Sequence, residues 1–158
     1  MNNLSGKIAN KGTRVVNGVL TLIAVVMIIY SGFVLYDTIY TDRVAFLSDD
    51  LSQYRPGLTE DEPSFEEMRK INPDTRAWIM MKDTNIDYPV VQGKDDLEYA
   101  MKNVYGQNSL TGSIYLTTIN KGDFTDSFNL IYGHHMDNGA MFGALDKFKD
   151  IKYFADHQ

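Results

Sequence analysis

Cysteine is absent from the 158 residues, and with it every disulfide, thiolate metal site and cysteine nucleophile within them. An excess of positive charge is absent too: 15 lysines and arginines stand against 21 acids, a net of -6. Phosphate binding needs a basic face, so nucleic acid is not an expected partner. No internal repeat or low-complexity tract interrupts the chain. The three histidines are His134, His135 and His157, a spacing that completes no zinc pattern without cysteine. No cofactor is implied, and Glu60-Asp61-Glu62 reads as a solvated linker rather than a calcium site.

Charge is also missing locally. Residues 1–14 carry Lys7, Lys11 and Arg14 but no acid, which leaves 12 basic residues against 21 acids, a net of -9, for the remainder. Val15 to Tyr36, VVNGVLTLIAVVMIIYSGFVLY, is a run of 22 uncharged residues. At 1.5 Å per residue such a helix crosses a hydrocarbon core of about 30 Å. Tyr30, Tyr36 and Tyr40 suit an interfacial belt, and Asp37 and Asp42 follow the span. The expectation is a single-pass anchor over 15–36, with residues 1–14 cytoplasmic and the bulk outside the cell membrane. A cleaved signal peptide has a shorter apolar core and a small-residue cleavage site, and Ser31-Gly32-Phe33 is a poor one. A core helix would show a polar stripe, and this run has none.

Residues 37–63 read as a membrane-proximal helix and a linker. Val44, Leu47, Leu51 and Tyr54 recur at helical spacing, Arg55-Pro56-Gly57 breaks the pattern, and polar residues follow to Pro63. Ser64 and Glu67 match a capping box, Phe65, Met68 and Ile71 give the next helix an apolar face, and Asn72-Pro73 ends it. The period then becomes alternating. Ala77 to Met81 and Ile86 to Val90 read as strands joined by a Lys82–Asn85 turn. Pro89 places the second strand at an edge or beside a bulge. Asp95 to Asn103 reads as a short helix opened by an aspartate cap. Ser113 to Thr118 and Phe128 to His134 are two more strands, and Met141, Leu145 and Phe148 begin a final helix toward Phe154. Four strands do not close a barrel, so their edges are expected to be open.

The stretch NLIYGHHMDNGAMFGAL (Asn129 to Leu145) places two histidines side by side. Strand alternation puts Leu130, Tyr132 and His134 on one face, with Ile131 and His135 on the other, an arrangement poorly suited to one metal ion. The spacing leaves open whether either histidine is a catalyst or a hydrogen-bonded structural residue at a strand end.

Three stretches in order, INPDTRAWIMMKDTNIDYPVVQGKDD (Ile71 to Asp96), GSIYL (Gly112 to Leu116) and NLIYGHHMDNGAMFGAL, resemble class B sortases. The likeness covers roughly residues 60 to 158, and the anchor fits the family's N-terminal topology. It implies a mainly β domain with added helices, here an incomplete sortase-type β-barrel over 64–158 preceded by one transmembrane helix. It further implies a transpeptidase of Gram-positive envelopes that cleaves a C-terminal sorting signal of a secreted protein. The acyl group then passes through an enzyme cysteine to an amine of peptidoglycan or a pilin. The resemblance makes His134 the catalytic histidine and His135 incidental. It makes Asp96 and Ala100 positions near the substrate groove, and Tyr132, on the strand face of His134, is expected to line that groove. Asp96 stands where the family often has asparagine, Ala100 where it often has a larger apolar residue, and Thr117 where it often has aspartate. The family's cysteine and arginine come after the helix that begins at Met141, so the chain is expected to be the N-terminal part of a sortase. By itself it is expected not to catalyse transpeptidation. The alternative is an inactive membrane-tethered remnant that binds a partner, for which open strand edges would serve.

Overall fold

The computed structural model describes residues 2–46, 49–57 and 65–157. Leu47, the linker from Leu58 to Pro63, its acidic run and the expected cap at Ser64 lie outside them. Contacts divide the chain into two units, Met1–Tyr40 and Thr41–Gln158.

The first unit is helical. Helix α1, Asn2–Val44, contains the expected span and extends beyond it at both ends. Its Asn10–Val44 part reaches a mean hydropathy of 2.5 with none of that window buried in the protein. Leu20, Ile23, Ile28 and Phe33 are all exposed. Apolar residues on every side leave no polar face for water, so the helix is long and apolar enough to cross a membrane. Tyr36 and Tyr40 stack with ring centroids 6.2 Å apart, one turn from each other near its C-terminal end.

The second unit is built on four strands in the order β1-β2-β3-β4: Thr75–Met80, Asp87–Val91, Ile114–Leu116 and Ile131–Tyr132. The sheet is open and does not close into a barrel. β1 and β2 form the expected antiparallel hairpin, with Trp78 opposite Pro89 and a bulge between Thr75 and Ala77. The connecting turn puts Asp83 at φ 61, and Thr84 caps it through both its amide and its hydroxyl onto the Met81 carbonyl. β2 is an inner strand, so of the two settings expected for Pro89 the edge fails, while the bulge lies opposite the adjoining Val90 and Val91. The strand tolerates Pro89 because its parallel ladder to β3 begins one residue later, at Val90 opposite Ile114, where no amide of Pro89 is needed.

Alternation along these strands feeds two hydrophobic clusters. Ile86, Tyr88, Val90, Ile114 and Leu116 meet Met141 and Ala144 in one of them. Val91, Tyr99 and Val104 meet Leu51 of α2 (Asp49–Ser52) and Met68 of α3 (Phe65–Ile71) in the other. Within α3, Glu66 and Glu67 sit in the first turn and Arg69 and Lys70 in the last, matching the helix dipole. Of its three apolar positions only Met68 is buried, while Ile71 stays 40% exposed.

Two expected helices differ. Residues 95–103 form successive turns, not a helix. Asp95 does cap the Leu97 and Glu98 amides, both at 2.9 Å. Propagation then fails, because Asp96 and Tyr99 are claimed by distant partners and nine residues are too few to favour a helix alone. The final helix is broken in two: a 3-10 segment, Gly143–Lys149, then α4, Ile151–Asp156. Asp150 separates them at ψ 122 and caps α4 by accepting from the Tyr153 amide.

Two tyrosines tie the unit together. The Tyr88 hydroxyl donates to the Ala45 carbonyl at 3.1 Å and accepts from the Met141 amide at 3.0 Å. Burial pushes its phenol up, partly offset by the Met141 amide. The Tyr99 phenol is pushed up to about 12, first by burial and then by Asp74, which accepts its proton at 2.9 Å. A raised folded-state value favours the neutral phenol, so this stabilisation is present below the unfolded value and is lost as pH rises toward about 12. Urea unfolding followed by Trp78 fluorescence should show stability falling across that alkaline window, less steeply in Tyr99→Phe. Tyr88→Phe should cost about 1–3 kcal/mol at neutral pH, because it strands a buried amide and a buried carbonyl.

Candidate active site

The residues leading into and out of β3 carry the site. Ser109 and Thr111 share a hydroxyl–hydroxyl bond of 2.9 Å, and the Gly112 amide turns back to the Ser109 carbonyl. Ser113 donates its amide to the Tyr99 carbonyl at 2.9 Å and its hydroxyl to the Lys102 carbonyl at 2.8 Å. At Gly112, φ is +58, and a Cβ there would lie 2.4 Å from the Ala100 carbonyl oxygen. Only glycine combines that backbone region with so close an approach. Ala100 is thus held against the start of β3 through its backbone.

His134 follows β4 by two residues and is partly buried. Its Nδ1 lies 3.0 Å from the Thr111 carbonyl, and its own carbonyl accepts from the Phe142 amide at 2.9 Å. Gly133 explains the small residue between Tyr132 and His134. A Cβ at 133 would lie 2.3 Å from Ile114 Cδ1, in the buried core, and 3.1 Å from the Phe142 ring. His135 turns elsewhere. It bridges to Met141 through the backbone, and its Nε2 faces Asp146 at 3.0 Å. Lys149 and then His135 hold the Asp146 carboxyl below its usual range. The two adjacent rings therefore have separate partners and separate surroundings.

Asp96 reaches across to the end of β3. One carboxylate oxygen accepts from the Thr118 amide at 2.6 Å and the Thr118 hydroxyl at 2.9 Å; the other accepts from the Thr117 hydroxyl at 2.8 Å. These bonds, the Thr118 amide foremost, lower its pKa. Asp96 is therefore tied to the end of β3, and Thr117, where an aspartate was the family expectation, serves as its donor. Tyr115 packs on Tyr132 across the β3–β4 pair at a centroid distance of 5.6 Å. Burial, then the Asp96 charge, pushes the Tyr115 phenol up. Tyr132 itself is 43% exposed.

Sequence comparison gives the same family from two curated relatives. The chain is 32% identical over 148 residues to the sortase B of Listeria monocytogenes and 25% identical over 146 residues to that of Staphylococcus aureus. The matches cover 87% and 89% of this chain but only 59% and 60% of those proteins. Solved structures agree. Sortase B of B. anthracis superposes with a TM-score of 0.66 at 31% identity, over 77% of this chain and 60% of that one. A Streptococcus pyogenes class B sortase involved in pilus biogenesis gives 0.57 at 46% identity, over 60% and 52%. The chain belongs to the class B sortase family. No family model matches it.

In this class B sortase chain, all four positions singled out from the sequence touch or adjoin residues 111–118. Thr111 holds His134, Gly112 seats Ala100, Tyr115 packs on Tyr132, and Thr117 with Thr118 binds Asp96. Sequence reading had no signal for Thr111, whose part is played by a backbone carbonyl, nor for Thr118. It also lacked one for Asp146 as the partner of His135. An imidazole with one nitrogen anchored can take and give a proton at the other.

Substitutions at two positions test this layout. Gly133→Ala should destabilise the protein by about 1–3 kcal/mol in urea unfolding, since it overpacks Ile114. Asp96→Ala should speed hydrogen exchange at the Thr118 amide by at least several-fold, while Asp96→Asn retains an acceptor and stays near wild type. A depressed carboxylate stabilises above the unfolded value and loses that contribution as pH falls through the folded one. The acid limb of stability should therefore flatten in Asp96→Asn.

Proposed function

We propose that this chain is the histidine-bearing part of a sortase-type cysteine transpeptidase. Its substrate would be a secreted protein with a C-terminal sorting signal, and its acceptor an amine of peptidoglycan or a pilin. His134 acts as the proton carrier, giving a proton to the departing amine and taking one from the incoming amine. Tyr132, Asp96 and Ala100 lie along the substrate groove. The observation that carries the reading is the His134 ring anchored on the Thr111 carbonyl, at the position matched by the family resemblance. The chain spans about 60% of its curated relatives' length and has no cysteine. The thiolate nucleophile such an enzyme needs is therefore not among these residues, and the family resemblance puts the oxyanion-stabilising arginine beyond the helix that begins at Met141. Alone, the chain is inactive. The apolar helix α1 tethers it as a single-pass anchor, with residues 1–14 cytoplasmic and the remainder extracellular.

A second reading is supported by the open sheet. β1 and β4 are its outer strands, and an added strand from a partner would suit an inactive, membrane-tethered binding protein.

Fusing the cysteine-bearing C-terminal part of a related class B sortase after Gln158 tests the first reading. The fusion should cleave sorting-signal peptides where the chain alone does not, and His134→Ala should lower kcat/KM by roughly 10²–10⁴-fold. His135→Ala should leave it within a few-fold. A folded fusion that cleaves equally well without His134 overturns the proposal.

A further inference from the structure

The contact between His134 and Thr111 decides which ring nitrogen is chemically available. A peptide carbonyl only accepts hydrogen bonds, so the ring nitrogen 3.0 Å from it must carry a proton. We propose that the Thr111 carbonyl is a positioning group that locks neutral His134 in the Nδ1–H tautomer and makes Nε2 its proton-exchanging atom. This inference rests on the reading of His134 as the site's acid–base residue.

The carbonyl is held on both sides. Upstream, the Thr111 hydroxyl is bonded to Ser109, and Thr111 is 2% exposed. Downstream, the Gly112 and Ser113 amides are tied to the Ser109 and Tyr99 carbonyls, and Gly112 is pressed against Ala100. The acceptor therefore does not swing away when the ring changes charge. Both the imidazolium and the Nδ1–H neutral form keep a proton on Nδ1, so the same hydrogen bond survives each half of a catalytic cycle. In the first half, the Nε2–H bond of the imidazolium breaks and its proton forms an N–H bond on the leaving amine. In the second half, an N–H bond of the incoming amine breaks and its proton returns to Nε2. Neither transfer requires the ring to turn.

His135 supplies an internal contrast. Its Nε2 faces the Asp146 carboxylate, which also only accepts, so neutral His135 carries its proton on Nε2. Two histidines adjacent in sequence are thus fixed in opposite tautomers. Nε2 is spoken for in His135 and unanchored by this contact in His134.

Long-range proton–nitrogen correlation spectra of the ¹⁵N-histidine-labelled full chain in detergent micelles test the inference. Above the imidazole titration, His134 should show a pyrrole-type Nδ1 and a pyridine-type Nε2, and His135 the reverse. A pyridine-type Nδ1 in His134, or averaged signals from a tautomer mixture, overturns the proposal. Gly112→Ala is the second probe, because its Cβ cannot fit beside the Ala100 carbonyl and the Thr111–Gly112 peptide must move. In the folded variant the His134 signals should shift toward a tautomer mixture; an unchanged Nδ1–H pattern overturns the role of the carbonyl. The wild-type spectrum decides the tautomer whether or not the variant folds. It does so without turnover, so a failure here is distinguishable from a failure of the fusion assay.

Discussion

The approach of Gly112 to Ala100 is the contact on which the site depends. No Cβ fits between that α-carbon and the Ala100 carbonyl, and the backbone there lies in the left-handed region. This constraint fixes where the irregular crossover 92–113 delivers the chain into β3. From that point three things follow in register. The Thr111 carbonyl meets His134, Tyr115 meets Tyr132, and Thr117 and Thr118 meet Asp96. Residues from Asp96 to His134 are gathered by one short, tightly packed segment.

That segment is itself supported from two sides. Ile114 and Leu116 enter one hydrophobic cluster with Tyr88, Val90 and Met141, while Tyr115 packs against the other with Val91, Tyr99 and Val104. Buried polar groups join the two faces to their surroundings. Asn72, 6% exposed, donates to the Tyr99 hydroxyl and the Val104 carbonyl and accepts from the Asp74 amide. The Tyr88 hydroxyl links Ala45 to Met141, in the loop that returns from His135. Such groups specify one arrangement because an unmet partner in either cluster costs more than a met one contributes. An open sheet of four short strands gains its definition from these links as much as from its ladders.

Much of the fold was legible because alternation and punctuation are local. Four strands were expected and four are present among the described residues, with the β1–β2 hairpin close to its expected span. Boundaries failed where side chains answered to distant partners. The strand expected from Phe128 shrinks to Ile131–Tyr132, because Asn120 engages the Phe128 carbonyl and the Leu130 amide and holds the loop off the ladder. The helix expected over 95–103 is lost for the same reason at Asp96 and Tyr99. Pro89 suggested an edge or a neighbouring bulge; β2 is central, and it is the bulge between Thr75 and Ala77, facing Val90 and Val91, that lies next to Pro89.

The sequence by itself determined the apolar span, the strand count, the absence of a thiol and the motif around His134. Each is a matter of composition or of spacing within a few residues. Tertiary structure decided what those residues do to one another. It separated His134 from His135 by giving one a carbonyl and the other a carboxylate, and it turned Asp96 toward Thr117 and Thr118. The physical reason is that hydrogen-bond partners 11 to 23 residues apart are set by chain packing, which no local pattern encodes. A histidine's residue type gives it two nitrogens; only its neighbours in space decide which one holds the proton.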